Sequence, residues 1–222
     1  PFRSTTPGMK KPGTRERISG QDGFAQKLGQ ESMVLVEIDP PKHLDIDEVL
    51  AGTKELEQAG VDAVTVAENP LGSPRFSNIA LSVLLRQQSD LPIILHVTGR
   101  DRNSVGMQST LMGLAGLGLT NVLALTGDPP PRGAEERVTG VFDLKSFELI
   151  ELLQRFQQGT NRQGQDLRKT VSFRIGAAFN PNTRNVDLQL GRMERKIGLG
   201  AEYFLTQPVY SREGVDVVAG AE

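Results

Sequence analysis

Cysteine is absent from the 222 residues, which excludes disulfides, thiolate nucleophiles and thiolate metal sites. Histidine is scarce: His43 and His96 are too few for a histidine-rich metal site. No apolar run reaches the roughly 18 residues that a membrane span needs, and no segment has the pattern of a signal peptide. An excess of either charge is also lacking. A net charge of −2 and a pI of about 5.8 argue against nucleic acid or an acidic membrane as the main partner. The expectation is a soluble cytoplasmic protein, long enough for one domain with a real core.

Residues 1–20, rich in proline, glycine and basic side chains, lack periodicity, and residues 1–30 read as an N-terminal linker or tail. Pro1 in place of Met leaves two readings open: a segment cut from a longer chain, or a processed or tagged product. From residue 31 to 222 strand and helix patterns alternate. Strands are expected at 33–38, 63–67, 93–98, 122–126, 173–179 and 203–207. A helix from about Asp45 carries Ile46, Val49, Leu50, Thr53 and Leu56 on one face and ends near Gly60. Another follows Asp143 with Phe147, Ile150 and Leu153 inward, closed by Gly159. Asn185 caps a third, bearing Val186, Leu190, Met193 and Ile197. The segments 59–64, 117–122 and 199–204 repeat one pattern: a helix-ending glycine, a short turn, an apolar strand. The Gly-X-Gly triplets at 116–118 and 198–200 end helices, whereas a dinucleotide fingerprint opens one. The fold class is therefore α/β, a (βα)8 barrel or a doubly wound sheet.

Function concentrates in residues 96–131, a β-α-β unit with polar groups bunched at both strand ends. The strand 93–98 runs into Gly99-Arg100-Asp101-Arg102-Asn103, and the next runs into Gly127-Asp128-Pro129-Pro130. Ligands of α/β folds sit at such carboxyl ends of parallel strands. Glu37 interrupts an otherwise apolar strand, with Leu35 and Glu37 on one face and Val34, Val36 and Ile38 on the other. If buried there, its pKa rises and it suits a general acid, although a structural ion pair fits equally well. Asp128 reads as a turn aspartate or a site residue. His96, on a strand face with Ile94 and Thr98, reads as a core histidine. Arg100, Arg102, Arg195 and Lys196 are candidates for a phosphate, arginine by its bidentate geometry.

The blocks VEIDPPK (36–42), DAVTVAENP (62–70), LHVTGRDRN (95–103), NVLALTGDPP (121–130), AAFNPN (177–182) and ERKIGLGAEYFLTQPVY (194–210) resemble the methylenetetrahydrofolate reductases, in that family's order. The resemblance covers roughly residues 31–210, and VFDLKSFELI (141–150) looks closest to the reductase half of bacterial bifunctional proteins with an upstream homocysteine methyltransferase half. It implies a (βα)8 TIM barrel, of which a complete example has about 250 residues and eight strands. This chain stops after its sixth strand, so the last two were cut off or are absent from the sequence at hand.

The resemblance also implies an NAD(P)H-dependent oxidoreductase, with FAD as cofactor and NAD(P)H as co-substrate, that converts 5,10-methylenetetrahydrofolate to 5-methyltetrahydrofolate. Glu37 matches the family's catalytic acid and Asp128 the aspartate beside flavin and folate. Thr126 and Gly127 belong to that same triplet, where stand-alone bacterial enzymes tend to have arginine in place of Thr126. His96 and Thr65 match flavin-pocket contacts. Phe179 stands where some members have tyrosine. Arg195 and Lys196 match residues at the flavin phosphates, and Gln207 the pterin-binding glutamine. No metal, nucleic acid or membrane is expected. The expected partners are the folate substrate, a second copy of the chain in a homo-oligomer, and an upstream methyltransferase domain. The alternative from another class is a truncated, non-catalytic barrel that holds folate or docks on that methyltransferase; a colourless purified protein would favour it. A phosphate-binding barrel isomerase or aldolase is the weaker enzyme alternative, because no strand carries a candidate Schiff-base lysine.

Overall fold

The computed structural model describes residues 17–18, 22–130 and 139–221. The remainder of the expected tail and Pro131, the end of the β-α-β stretch, lie outside the described residues. In chain order the elements are β1 (Arg17–Ile18), α1 (Asp22–Lys27), β2 (Leu35–Ile38), α2 (Asp47–Gln58), β3 (Ala63–Val66), α3 (Asn78–Leu85), β4 (Ile93–Thr98), α4 (Ser104–Leu117), β5 (Asn121–Leu125), α5 (Ser146–Gln157), β6 (Thr170–Val171), β7 (Arg174–Phe179), α6 (Val186–Gly198), β8 (Tyr203–Thr206) and α7 (Arg212–Ala219). The short β1 and β6 pair with each other in parallel.

The other six strands form one parallel sheet in the order β2-β3-β4-β5-β7-β8. Each strand lies beside its predecessor, with no point where the order reverses. A doubly wound sheet needs such a reversal; a barrel wall does not. The fold is therefore a partial (βα) barrel.

Register sorts the side chains. Glu37 pairs with Thr65, Thr65 with Ile94, His96 with Leu123, and Leu123 with Gly176. Paired residues of a parallel sheet point the same way. One face carries Leu35, Ala63, Ile94, Leu123, Tyr203 and Leu205, which form the inner apolar cluster. The other carries Val64, Val66, Ile93, Leu95, Val97, Val122, Ala124, Ile175 and Ala177, packed beneath the helices in the larger core. Ile46, Val49, Leu50 and Leu56 of α2 join that core as expected, as do Ile150 and Leu153 of α5.

Helix ends follow their caps. Asn103 accepts from the Gly106 amide at 2.8 Å, Ser77 from Ala80 at 3.3 Å and Asn185 from Leu188 at 2.9 Å. Gly118, at φ 68, closes α4 in the left-handed conformation that glycine adopts freely.

Three expectations need correction. Residues 22–30 are not tail: Asp22–Lys27 is helical, and Phe24, 1% exposed, closes one end of the inner cluster. Its ring meets Tyr203 edge-on, with centroids 5.2 Å apart. Phe147 is only half-buried, while Leu149, Leu152 and Phe156 supply more of the inward face of α5. The apolar face of α6 is sparsely covered, with Ile197 52% exposed, because helix periodicity shows which residues share a face and not whether anything packs on it.

The Phe24–Tyr203 contact generates a stability prediction. Phe24→Ala should cost about 3–5 kcal/mol, the usual loss for a buried phenylalanine. Urea unfolding measures it, and a loss below about 1 kcal/mol would show that the N-terminal helix is not part of the core.

Candidate active site

All six sheet strands end on the same side, and their carboxyl ends surround a cleft of about 310 Å³. Its lining includes Glu37 from β2, Glu68 just beyond β3, His96 and Thr98 from β4, Thr126-Gly127-Asp128 beyond β5, Ala178 from β7 and Gln207 beyond β8. Of the residues singled out from sequence, the cleft gathers Glu37, His96, Arg100, Thr126, Gly127, Asp128 and Gln207.

Glu37 points to the inner face as expected but is not buried. β2 is an edge strand of the sheet, and the side chain is 60% exposed. Its carboxyl is nevertheless raised above the usual glutamate range, first by lost solvation against the sheet and then by the charge of Asp39. Solvent on the open side limits that rise.

His96 Nε2 lies 3.8 Å from Glu37 Oε2. Burial depresses the imidazole to about 4, so at neutral pH it is uncharged and the contact is not an ion pair. Its Nε2 atom, like the buried Thr65 hydroxyl, has no hydrogen-bond partner among the described residues. Asn78 of α3 donates to the His96 carbonyl at 2.8 Å and pins this part of β4. Thr65 itself stands beside Glu37 on the inner face, though outside the cleft lining.

The β5 end is shaped by backbone. Gly127 has φ 89, and a Cβ there would come within 3.0 Å of Arg100 Cβ and 3.1 Å of Thr98 Cβ. Glycine alone fits that turn without strain. Thr126 Oγ1 accepts from the Ser146 amide at 3.2 Å, which ties the strand end to the start of α5. Asp128 Oδ2 accepts from the Leu71 amide at 3.3 Å.

The phosphate candidates separate. Arg100 is buried, with Nε and Nη2 on the two oxygens of Asp101 at 2.6 and 2.7 Å. That contact holds the Asp101 carboxyl below the usual aspartate range. Arg102 is paired with Glu68. Both phosphate candidates thus have a carboxylate partner inside the protein, while Arg102 Nη1 has no hydrogen-bond partner among the described residues. Arg195 is exposed on α6 and lies over the Phe147 ring, 4.2 Å from its centroid. Lys196 reaches from α6 to the Ala178 carbonyl at 2.7 Å, and burial, then the charge of Arg192, lowers its pKa.

Phe179 does not enter the cleft. It pairs with Thr206, one residue out of phase with the cleft-lining Ala178 and Leu205, so it lies on the opposite face.

The residue missed from sequence is Glu68. Only 7% exposed, it accepts from the Thr98 amide at 2.6 Å and the Thr98 hydroxyl at 3.0 Å, and pairs with Arg102. Buried carboxylates are tolerated when paired and hydrogen-bonded in this way. Its position two residues past β3 was the available signal, because polar residues at that strand end face the ligand side of a barrel.

The fold and cleft define a parallel βα-barrel enzyme with its site at the strands' carboxyl ends. The family model described as methylenetetrahydrofolate reductase matches residues 24–216, and the chain belongs to that family of oxidoreductases. A search of curated proteins gave no match. Among solved structures, the chain is similar to a 2,3-dimethylmalate lyase of the PEP mutase/isocitrate lyase superfamily (14% identity, TM-score 0.59, covering 92% of this chain and 68% of that one). It is also similar to an oxaloacetate acetylhydrolase (11% identity, TM-score 0.54, covering 93% and 69%). A third is a flavocytochrome b2 variant with sulfite bound (14% identity, TM-score 0.50, covering 90% and 50%). Identities this low speak to the barrel fold alone. Among the described residues no helix is long and apolar enough to cross a membrane, and no acidic or histidine cluster is arranged to hold a metal ion.

His96 generates a pH prediction. Unfolded, the imidazole binds its proton near 6.5; folded, only near about 4. Unfolding takes up a proton between those values, so the contribution is complete above 6.5 and lost as pH falls toward about 4. His96→Gln should flatten the stability slope in that window, removing up to about 3 kcal/mol of pH dependence. Urea melts of both proteins across the window measure the difference. An unchanged slope would show that His96 is not held neutral.

Proposed function

We propose that the chain is the barrel of a flavin-dependent reductase converting 5,10-methylenetetrahydrofolate to 5-methyltetrahydrofolate with NAD(P)H. The observation that carries this reading is the meeting of Glu37, His96, Asp128 and Gln207 in one cleft at the strands' carboxyl ends, within a chain of this family.

The residues fit a flavin. The unpartnered Nε2 of the cleft-lining His96 is a group that a polar ring would satisfy. The cleft, at about 310 Å³, suits a ring system and not a whole dinucleotide. Arg195 and Lys196 on α6 would then be the cations for the phosphates. When bound, the flavin accepts hydride from NAD(P)H and supplies it to the folate methylene carbon.

The chain's own residues contribute binding, one proton and electrostatics. Glu37, with its raised pKa, gives a proton to the folate nitrogen as the five-membered ring opens to an iminium. Asp128 places negative charge beside that cation. Gln207 offers a donor and an acceptor to one edge of the pterin. His96, neutral, orients the ring without transferring a proton. A homocysteine methyltransferase domain in the same protein and assembly of several copies are further parts of this reading.

Two outcomes follow. The protein is expected to retain FAD non-covalently through gel filtration and to release it on heating. A protein that stays colourless after reconstitution with FAD would sink the reading. Stopped-flow flavin absorbance separates the half-reactions. In Glu37→Gln, reduction by NAD(P)H should survive within about tenfold, while the folate half-reaction falls roughly 10²–10⁴-fold, the usual worth of a positioned acid. Equal loss in both steps would make Glu37 a structural or flavin-holding group.

A further inference from the structure

Arg100 is 2% exposed, and none of the steps above uses it. Beyond its fork on Asp101, Nη2 donates to the Asn69 carbonyl at 3.0 Å and Nη1 to the Asp128 carbonyl at 3.2 Å. One guanidinium therefore joins the loop after β3 to the loop after β5.

The first of these loops is bent against its preference. Asn69 has φ 42 and Leu71 φ 56, left-handed backbone that residues with side chains seldom adopt. Such conformations persist where their surroundings hold them. Here Asn69 is held at three polar groups: its carbonyl by Arg100 and the Gly72 amide, its side-chain amide by donation to Asp101 Oδ2 at 3.1 Å, and its side-chain oxygen by the Arg75 amide at 3.1 Å. The consequence lies two residues on, where the Leu71 amide points at Asp128 Oδ2, 3.3 Å away. Asp128 is thus gripped twice, at its carbonyl by Arg100 and at its carboxylate by an amide that the Arg100–Asp101–Asn69 unit presents.

We propose that Arg100 is a positioning residue for Asp128, acting through its own bond to the Asp128 backbone and through the Asn69–Leu71 bend that orients the Asp128 carboxylate. This rests on the reading of Asp128 as the carboxylate beside the reacting folate. Only arginine fits the role. A planar fork serves two carboxylate oxygens and two carbonyls at once, and a lysine ammonium cannot reach all four.

The test has two arms, both on the whole chain loaded with FAD. The first reads amide hydrogen exchange at Leu71 and does not depend on the reaction. Exchange should rise at least about tenfold in both Arg100→Lys and Asp128→Asn, since each removes part of what holds that amide. An unchanged Leu71 amide in Arg100→Lys overturns the proposal. The second arm is a double-mutant cycle on the folate half-reaction. Arg100→Lys should slow it about tenfold or more in the native background, because small misplacements of a site group cost that much. In the Asp128→Asn background the same substitution should change it less than about twofold. Equal fold-losses in both backgrounds overturn the proposal, since Arg100 would then act independently of Asp128. A native protein that binds FAD but does not reduce methylenetetrahydrofolate refutes the proposed function, and the Leu71 amide alone then decides whether Arg100 positions Asp128. Should Arg100→Lys fail to fold, Asp101→Asn loosens the same fork and is held to the same criteria.

Discussion

Parallel, in-sequence hydrogen bonding of six strands is the constraint on which the rest depends. It sends every strand's carboxyl end to one side, so residues far apart in sequence meet there. Glu37, Thr65 and Ile94 are neighbours only because β2, β3 and β4 pair in that register. A slip of one residue would turn every side chain to the other face. The inner face leaves little slack. At Gly176 a Cβ would come within 2.3 Å of the Tyr203 ring, so the glycine on β7 makes room for the tyrosine of β8.

The electrostatics of the cleft follow from which charges the fold has already matched. Glu68, Asp101, Arg100 and Arg102 are partnered with one another at the strand ends. They build the wall of the cleft, with Arg100 and Glu68 in its lining. Glu37 and Asp128 are the more exposed carboxylates; Glu37 faces the neutral His96 imidazole, and Asp128 is held by the Leu71 amide and the Arg100 guanidinium. Arg195 and Lys196 of α6 lie outside the cleft lining. The wall and the site residues are also linked, since the Arg100–Asp101 pair that anchors the wall grips Asp128.

Much of the fold was legible because it is written in local periodicity. Each of the six sheet strands lies within one or two residues of its expected span, and Asn185 and the turn glycines mark helix ends by their own chemistry. The errors have physical causes. The six-residue α1 is too short to show a period, and its place in the core rests on the single ring of Phe24. Phe179 was carried over from the family resemblance, which does not say which face of β7 turns inward. Glu37 was placed on the correct face but expected to be buried, because burial depends on a neighbouring strand and β2 has one on a single side.

The sequence by itself determined the alternation of strand and helix, the family, and the residue types available for chemistry. These are local or colinear properties, carried by patterns a few residues long and by blocks in a conserved order along one chain. Tertiary structure alone decided that the sheet is singly wound and not doubly wound, which face of each strand turns inward, and which charged groups are already paired. Arg100 and Arg195 look alike as sequence, yet one is clamped between two loops and the other lies over an aromatic ring at the surface. The difference is set by partners dozens of residues away, brought within hydrogen-bonding distance only by strand register and helix packing.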